Sequence, residues 1–361
     1  MSDLRHCEFQ RILIIKPSSP GDIIHALPVL RGLRRRYPNA HIAWLVATSF
    51  VNLLDADPAL DEVIPFDRRR FGRLGRSLTV NRDFRAFLKK LRARRFDLVI
   101  DLQGLFRSGF FSYLCGAANR IGFRDAREFA WLFYNHKITR LNRDKHAADK
   151  NYAVAKMLGF DDKPLDFTVA IDDNDRQNME ALLAKAGIRQ DTPTRPYAVL
   201  VPGTRWETKC WPVDRYGRLA HLIDERHGMK SILVGGASDI EAGNEAVEKS
   251  GGSAYSLCGQ TTLRQLAALI DRASVVVTGD STPMHIAAAH GRPLVALFGP
   301  TNPDRTGPYG RRDDVVRLDL ECSPCYYRKL RQCPNSHACM QDLDVTVIAE
   351  AVDQRLLHRY D

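Results

Sequence analysis

Short apolar runs, each followed by a segment with helical spacing, recur along almost the whole chain, and this alternation admits few folds. RILIIK (11–16), HIAWLV (41–46) and LVIDL (98–102) read as buried strands. The helix that starts near Asp22 places Ile23, Ile24, Leu27, Leu30 and Leu33 on one face, and FRAFLKKLRARR reads as a basic amphipathic helix. A second series follows: YAVLVPG, SILVGG, VVVTGD and PLVALFG are strands, separated by the helix-like PVDRYGRLAHLIDERHG, DIEAGNEAVEKS and TLRQLAALIDRA. Uninterrupted apolar strands joined by crossover helices indicate a parallel sheet covered on both faces. The expected class is therefore α/β with two doubly wound halves, and 361 residues suffice for two such cores. The expected layout is a first domain over 1–175, an interdomain connection with a short helix over 176–195, a second domain over 196–344, and a C-terminal helix over 345–361.

Charge divides the chain unevenly. Residues 1–150 hold 28 Lys or Arg against 15 Asp or Glu, a balance of +13, so the remainder sums to −3 within the total of +10. Residues 68–95 alone carry twelve bases and one acid, Asp83. Such a field recruits phosphates or carboxylates, although a solvated basic helix has the same composition. Nucleic acid and anionic lipid or sugar both stand as partner classes at this point. The charged start MSDLRHCEFQ has no apolar core of a signal peptide, and no run approaches the roughly 18 apolar residues of a membrane span. A cytosolic protein is expected.

Neither half contains G-x-G-x-x-G or G-x-x-x-x-G-K-[ST], so the usual dinucleotide and P-loop signatures are absent. In open α/β sheets ligands bind beyond the carboxyl ends of strands, and three loops stand there. Ser18-Ser19-Pro20-Gly21-Asp22 follows the first strand and holds a single acid, which reads either as a helix N-cap or as a general base. VPGTRWETKCWP offers Thr204 and Lys209. In TGDSTPMHIAAAHG, Ser281 or Thr282 can cap a helix with Pro283 in its first position and Gly291 closing it. A helix start beside hydroxyls and a lysine suits a diphosphate, and an ordinary capped helix with a surface lysine is the plainer alternative.

Taken in order, KPSSPGDIIHALPVL, DLQGLFRSG, AREFAWLFYN, PGTRWETKCWP, GDSTPMHIAAA and LFGPTNP span residues 11 to 303, and the chain that carries them resembles the ADP-heptose:lipopolysaccharide heptosyltransferases of glycosyltransferase family 9. The resemblance implies a GT-B fold, with two Rossmann-like parallel-sheet domains facing a cleft, acceptor on the first and nucleotide sugar on the second. It implies an inverting transfer of L-glycero-D-manno-heptose from ADP-heptose to Kdo-lipid A or its heptosylated form, at the inner face of the inner membrane. A GT-B epimerase or another sugar transferase is the alternative enzyme, and a basic nucleic-acid-binding module the alternative non-enzyme. By position, Asp22 matches the base, and Thr204, Lys209, Glu241, Asp280, Ser281, Thr282 and His285 match donor-binding residues. Ser19, Gly21, Gln103, Arg107 and Arg127 are the implied acceptor contacts. Arg205 and Trp206 depart from the simpler members, and no cofactor is required for catalysis.

Four of the eight cysteines, Cys322, Cys325, Cys333 and Cys339, are spaced C-x2-C-x7-C-x5-C with His337 between the last two. Such a cluster in a cytosolic protein is a candidate structural zinc or iron site, with free thiols or disulfides as alternatives. Cys7, Cys115, Cys210 and Cys258 suit small buried apolar roles.

Overall fold

All seven apolar runs identified as strands are strands in the computed structural model, which describes residues 4–73, 75–139, 142, 144–188 and 196–357. The chain divides into two units, Met1–Ala170 and Ile171–Asp361.

The first unit holds β1 (Arg11–Ile15), β2 (His41–Ala47), β3 (Glu62–Phe66), β4 (Leu98–Asp101), β5 (Asn119–Phe123) and β6 (His136–Ile138), ordered β3-β2-β1-β4-β5-β6 with every pairing parallel. The chain winds outward from β1 to β3, then returns to the other side of β1 to place β4. The crevice at this reversal is where doubly wound sheets bind ligands. Residues 12–15 and 98–100 are fully buried, as expected of strands covered on both faces. The Trp44 indole donates to the Lys16 carbonyl at 3.2 Å, satisfying its one polar group while fixing the first residue of the loop after β1.

The single helix expected after Asp22 is two helices, Pro20–Ile24 and Leu27–Arg36. Pro28 has no N–H to offer a preceding turn, so the ladder breaks and restarts around it. Ile23, Ile24, Leu27, Leu30 and Leu33 are nonetheless all buried.

The second unit repeats the winding with β7 (Tyr197–Val201), β8 (Lys230–Leu233), β9 (Ala254–Ser256), β10 (Val275–Gly279), β11 (Leu294–Leu297) and β12 (Val315–Val316), ordered β12-β11-β10-β7-β8-β9, again all parallel. Its reversal lies between β7 and β10. The segment expected to be a connection contains a 13-residue helix, Asp173–Lys185, which packs on Leu263–Arg272 of this unit, with Arg264 paired to Asp172 and Asp175. Residues 189–195 of that segment lie outside the described residues. Analogy with GT-B enzymes offers a C-terminal helix crossing back to the first domain as one placement for Val345–Leu357. In that helix Val345, Ile348, Ala349 and Val352 enter the second unit's core with Trp211 and Leu219; residues 358–361 lie outside the described residues.

Candidate active site

At the β1/β4 crevice a cavity of about 240 Å³ is lined by Lys16, Asp22, Gln103, Arg127, Lys150 and Asn151, among others. Asp22 stands at the third position of the helix Pro20–Ile24, where its Oδ2 accepts from the Ser19 amide at 3.0 Å and the Ser19 hydroxyl at 2.8 Å. The N-cap is therefore Ser19 and not Asp22; from the third helical position the Asp22 carboxylate reaches back to lock the turn, and it also borders the cavity. Gly21 is buried beneath it. The Lys16 ammonium donates to the Leu102 carbonyl at 2.7 Å, tying the loop after β1 to the loop after β4.

The β4 loop is shaped by Asp101, a residue sequence reading took only as part of a strand. Its Oδ1 accepts from the amides of Gln103 and Gly104 at 2.8 and 3.1 Å, and its Oδ2 accepts from the Tyr134 hydroxyl at 2.6 Å. Burial pushes the Asp101 carboxyl above the usual carboxylate range against these donors, and burial followed by the adjacent carboxyl pushes Tyr134 up in turn. The loop so held presents Gln103, whose buried Oε1 has no hydrogen-bond partner among the described residues, an acceptor available to a ligand hydroxyl. Gly104, at φ +65°, takes the left-handed turn and accepts from the Arg127 amide at 3.0 Å. Of the acceptor residues expected from sequence, Gln103 and Arg127 share the cavity with Asp22, and Ser19 bonds Asp22 directly. Arg107 does not line it; its exposed guanidinium lies 5.8 Å from the Phe66 ring centroid. Lys150 and Asn151 were missed. They arrive on the helix Ala147–Tyr152, capped by His146, whose ring meets His25 edge-on at 5.0 Å.

In the second unit the loops after β7 and β10 meet. The Lys209 ammonium lies 2.6 Å from Asp280 Oδ2, with the two side chains 14% and 7% exposed. The same Asp280 oxygen accepts from the hydroxyls of Thr301 at 2.8 Å and Thr306 at 3.4 Å. Asp280, expected among the donor contacts, is thus the group that holds Lys209 in place. Thr204 and the Lys209 backbone both crowd Gly279, where a Cβ would come within 3.0 Å of Thr204 Cγ2 and 3.2 Å of the Lys209 carbonyl oxygen. Ser281 is the N-cap of Thr282–Ala289, but its hydroxyl pairs with Thr278 Oγ1 at 3.0 Å and does not cap the helix. The first amides of that helix, which include Thr282, are left without a side-chain cap and suit an anion. His285 is buried one turn on. Glu241 is exposed in the first turn of Ile240–Lys249; the carboxylate against the β7 loop belongs to Asp239, so close that a Cβ on Gly203 would lie 2.3 Å from its Cγ.

Trp206, noted as a departure, is stacked by two cations: the Lys209 ammonium lies 4.4 Å and the Arg328 guanidinium 4.7 Å from its ring centroid. Arg328 comes from the cysteine-rich tail, which braces the Lys209 loop. His337 Nε2 meets the Thr208 carbonyl at 2.7 Å, the Thr208 hydroxyl donates to the Tyr327 carbonyl at 2.5 Å, and the Leu330 amide donates to Glu207 at 3.2 Å. The candidate metal site in the tail finds no support: among the described residues no group of three or more His, Cys, Asp or Glu is arranged to hold an ion. Cys339 is buried in the second unit's core while Cys322 is exposed. Burial, then the thiols of Cys325, Cys333 and Cys322, push the Cys339 thiol up to about 11, which keeps it protonated at neutral pH.

Two Rossmann-ordered sheets, each with polar side chains gathered at its reversal, are the frame on which a match to known proteins becomes informative. The model of glycosyltransferase family 9 (heptosyltransferase) matches residues 84–336. The chain belongs to this family. It is 33% identical over 319 residues to lipopolysaccharide heptosyltransferase 1 of Pseudomonas aeruginosa, covering 87% of this chain and 86% of the relative. It is 31% identical over 323 residues to lipopolysaccharide heptosyltransferase 2 of Escherichia coli K12, covering 85% and 88%. Among solved structures, an Escherichia coli heptosyltransferase with ADP-2-deoxy-2-fluoro heptose superposes with a TM-score of 0.75 at 26% identity, covering 96% of this chain and 99% of that one. The fold of this family 9 enzyme is accordingly GT-B, as its motifs implied, and the nucleic-acid-binding alternative falls away.

Proposed function

We propose that this chain transfers L-glycero-D-manno-heptose from ADP-heptose, with inversion, to the Kdo or heptose of the lipopolysaccharide inner core. The observation that carries the reading is Asp22, a carboxylate anchored by Ser19 and bordering a cavity with Gln103, Arg127 and Lys150. In this role Asp22 removes the proton from an acceptor hydroxyl as its oxygen bonds to the anomeric carbon, and the bond from that carbon to the ADP oxygen breaks. Cationic side chains around the same cavity suit an acceptor bearing carboxylates and phosphates, Kdo-lipid A or heptosyl-Kdo-lipid A. The charge that develops on departing ADP falls to Lys209, held by Asp280, and to the open amides at the start of Thr282–Ala289. Ser281, Thr204 and His285 complete the donor subsite, and Asp239 takes the ribose contact that sequence reading gave to Glu241.

We further read the protein as acting peripherally at the inner face of the inner membrane. The acceptor is a lipid, the first 150 residues carry +13, and no helix among the described residues is long and apolar enough to cross a membrane. The decisive experiment is a mass-spectrometric assay of ADP-heptose with purified Kdo-lipid A and, separately, with its mono-heptosylated form. One product gains a single heptose and identifies the acceptor; no heptosylated product from either would reject the reading.

A further inference from the structure

The loops that border the Asp22 cavity continue directly into a cluster of exposed apolar side chains. After Gln103 and Gly104 comes the helix Phe106–Leu114, on which Phe106, Phe110 and Tyr113 fall at i, i+4 and i+7 along one face; Phe106 is 50% and Tyr113 56% exposed. After Phe123 to Arg127 comes a turn in which Phe129 is 69%, Trp131 37% and Leu132 62% exposed.

The turn is built to face outward. Ala130 and Tyr134 are buried and anchor it at both ends, and Phe133 packs under the helix stripe at 5.3 Å from Phe106 and 6.1 Å from Tyr113. Gly109 permits this approach, since a Cβ there would come within 2.8 Å of Phe133. Glu128 and Phe129 both adopt left-handed backbone, at φ 55° and 59°, a conformation that side-chain-bearing residues rarely take. Glu128 Oε2 accepts from the Phe106 amide at 3.2 Å, joining the turn to the helix start. Cations sit among the rings: the Lys137 ammonium is 5.0 Å from the Trp131 ring centroid and the Arg120 guanidinium 5.8 Å from that of Tyr113.

We propose that Phe106, Tyr113, Phe129, Trp131 and Leu132 form a docking patch that enters an anionic lipid surface beside the acceptor cavity. Aromatic side chains interleaved with Lys and Arg suit the boundary between headgroups and acyl chains. The +13 balance of residues 1–150 complements anionic headgroups over a wider area. Strain spent on turning Phe129 outward fits an apolar occupant and has no evident use if water is the only neighbour. The inference rests on the heptosyltransferase reading for its choice of a lipid-borne substrate. Docking here lets the cavity meet an acceptor headgroup while its acyl chains stay in the bilayer.

Tryptophan fluorescence tests insertion, using vesicles of phosphatidylglycerol with brominated chains mixed with phosphatidylethanolamine. Trp44 and Trp211 are buried and Trp206 is half-buried, so Trp131 is the residue a chain-borne quencher is expected to reach. Bromine should quench the wild type and not Trp131→Phe, while both sediment with vesicles. The double variant Phe129→Ser/Leu132→Ser should retain about a tenth of the wild-type partition in high salt, where electrostatic attraction is screened and buried apolar area decides. It should also turn over a deacylated, water-soluble acceptor like wild type and lose rate only on acceptor embedded in vesicles. Equal quenching of wild type and Trp131→Phe, or equal partition of the double variant, would overturn the proposal. So would self-association that the double variant abolishes, since a second copy would then be the occupant. Absence of heptose transfer in every arm would reject the enzymatic reading, whereas the quenching result is read without it.

Discussion

Asp22 has two duties that a single substitution can separate. In Asp22→Asn the amide oxygen can still accept from the Ser19 amide and hydroxyl, so the turn is kept while the basic oxygen is lost. Turnover should fall by roughly 10²–10⁴ with ADP affinity unchanged in calorimetry; near-normal turnover would remove Asp22 from the role of base. Lys209 needs a different design, because Lys209→Ala alone leaves the Asp280 carboxylate nearly buried without its cation. We expect that variant to lose both stability and ADP affinity. Lys209→Ala/Asp280→Asn should recover most of the stability while still binding ADP about 10- to 100-fold more weakly than wild type, the worth of a charge-assisted contact. Recovery of ADP affinity in the double variant would show that Lys209 is a structural partner and not a phosphate ligand. Asp22, Lys209 and Asp280 were legible in the sequence because each stands just past a strand that reads as apolar. Asp101, Asp239 and Arg328 were not. Asp101 looks like the end of a strand, Asp239 stands two positions before Glu241, just ahead of the helix that holds it, and Arg328 reaches Trp206 from 122 residues away.

Elements buried on both faces were the easiest to read, and those at the sheet margins the hardest. β1, β2, β4, β7, β8, β10 and β11 read as apolar runs, whereas β3, β5, β6, β9 and β12 are short, more polar, or only partly buried and were not read as strands. The cysteine-rich tail shows the complementary case, in which the spacing suggests a metal site that the described residues do not support. Its observable work is to clamp the loop from Trp206 to Lys209 through His337, Tyr327 and Leu330. His337 is 6% exposed, so His337→Ala leaves the Thr208 carbonyl buried without its donor, at a cost of about 1–3 kcal/mol. Denaturant unfolding should register that loss, and ADP should bind more weakly because the Lys209 loop is freed. Unchanged ADP affinity would mean the loop holds its shape without the tail.

Across the whole molecule the basic surplus and the carboxylate lowered to about 2 fall in different units. The basic surplus lies in the first 150 residues, while a strongly shifted carboxylate, Asp271, lies in the second unit, where it receives His290 Nδ1 at 3.0 Å and Arg176 at 3.1 Å. The hydrogen bond from His290, followed by that from Arg176, lowers the Asp271 carboxyl from 3.8 to about 2 against the opposing effect of burial. A carboxylate with a depressed native pKa contributes stability above its unfolded value and loses it as pH falls through the native one. The contribution of Asp271 is therefore complete above about pH 4 and disappears between there and pH 2. Its size is about 1–2 kcal/mol, after allowing for solvent screening at a side chain 28% exposed. Asp271→Asn should be less stable than wild type by that amount at neutral pH and indistinguishable near pH 2. Hydrogen exchange of peptides from β7 to β11 reads the second unit separately, as a global melt of a two-unit chain does not. A gap that persists to pH 2 would show that the substitution acts through lost packing around His290, with the charge playing no part.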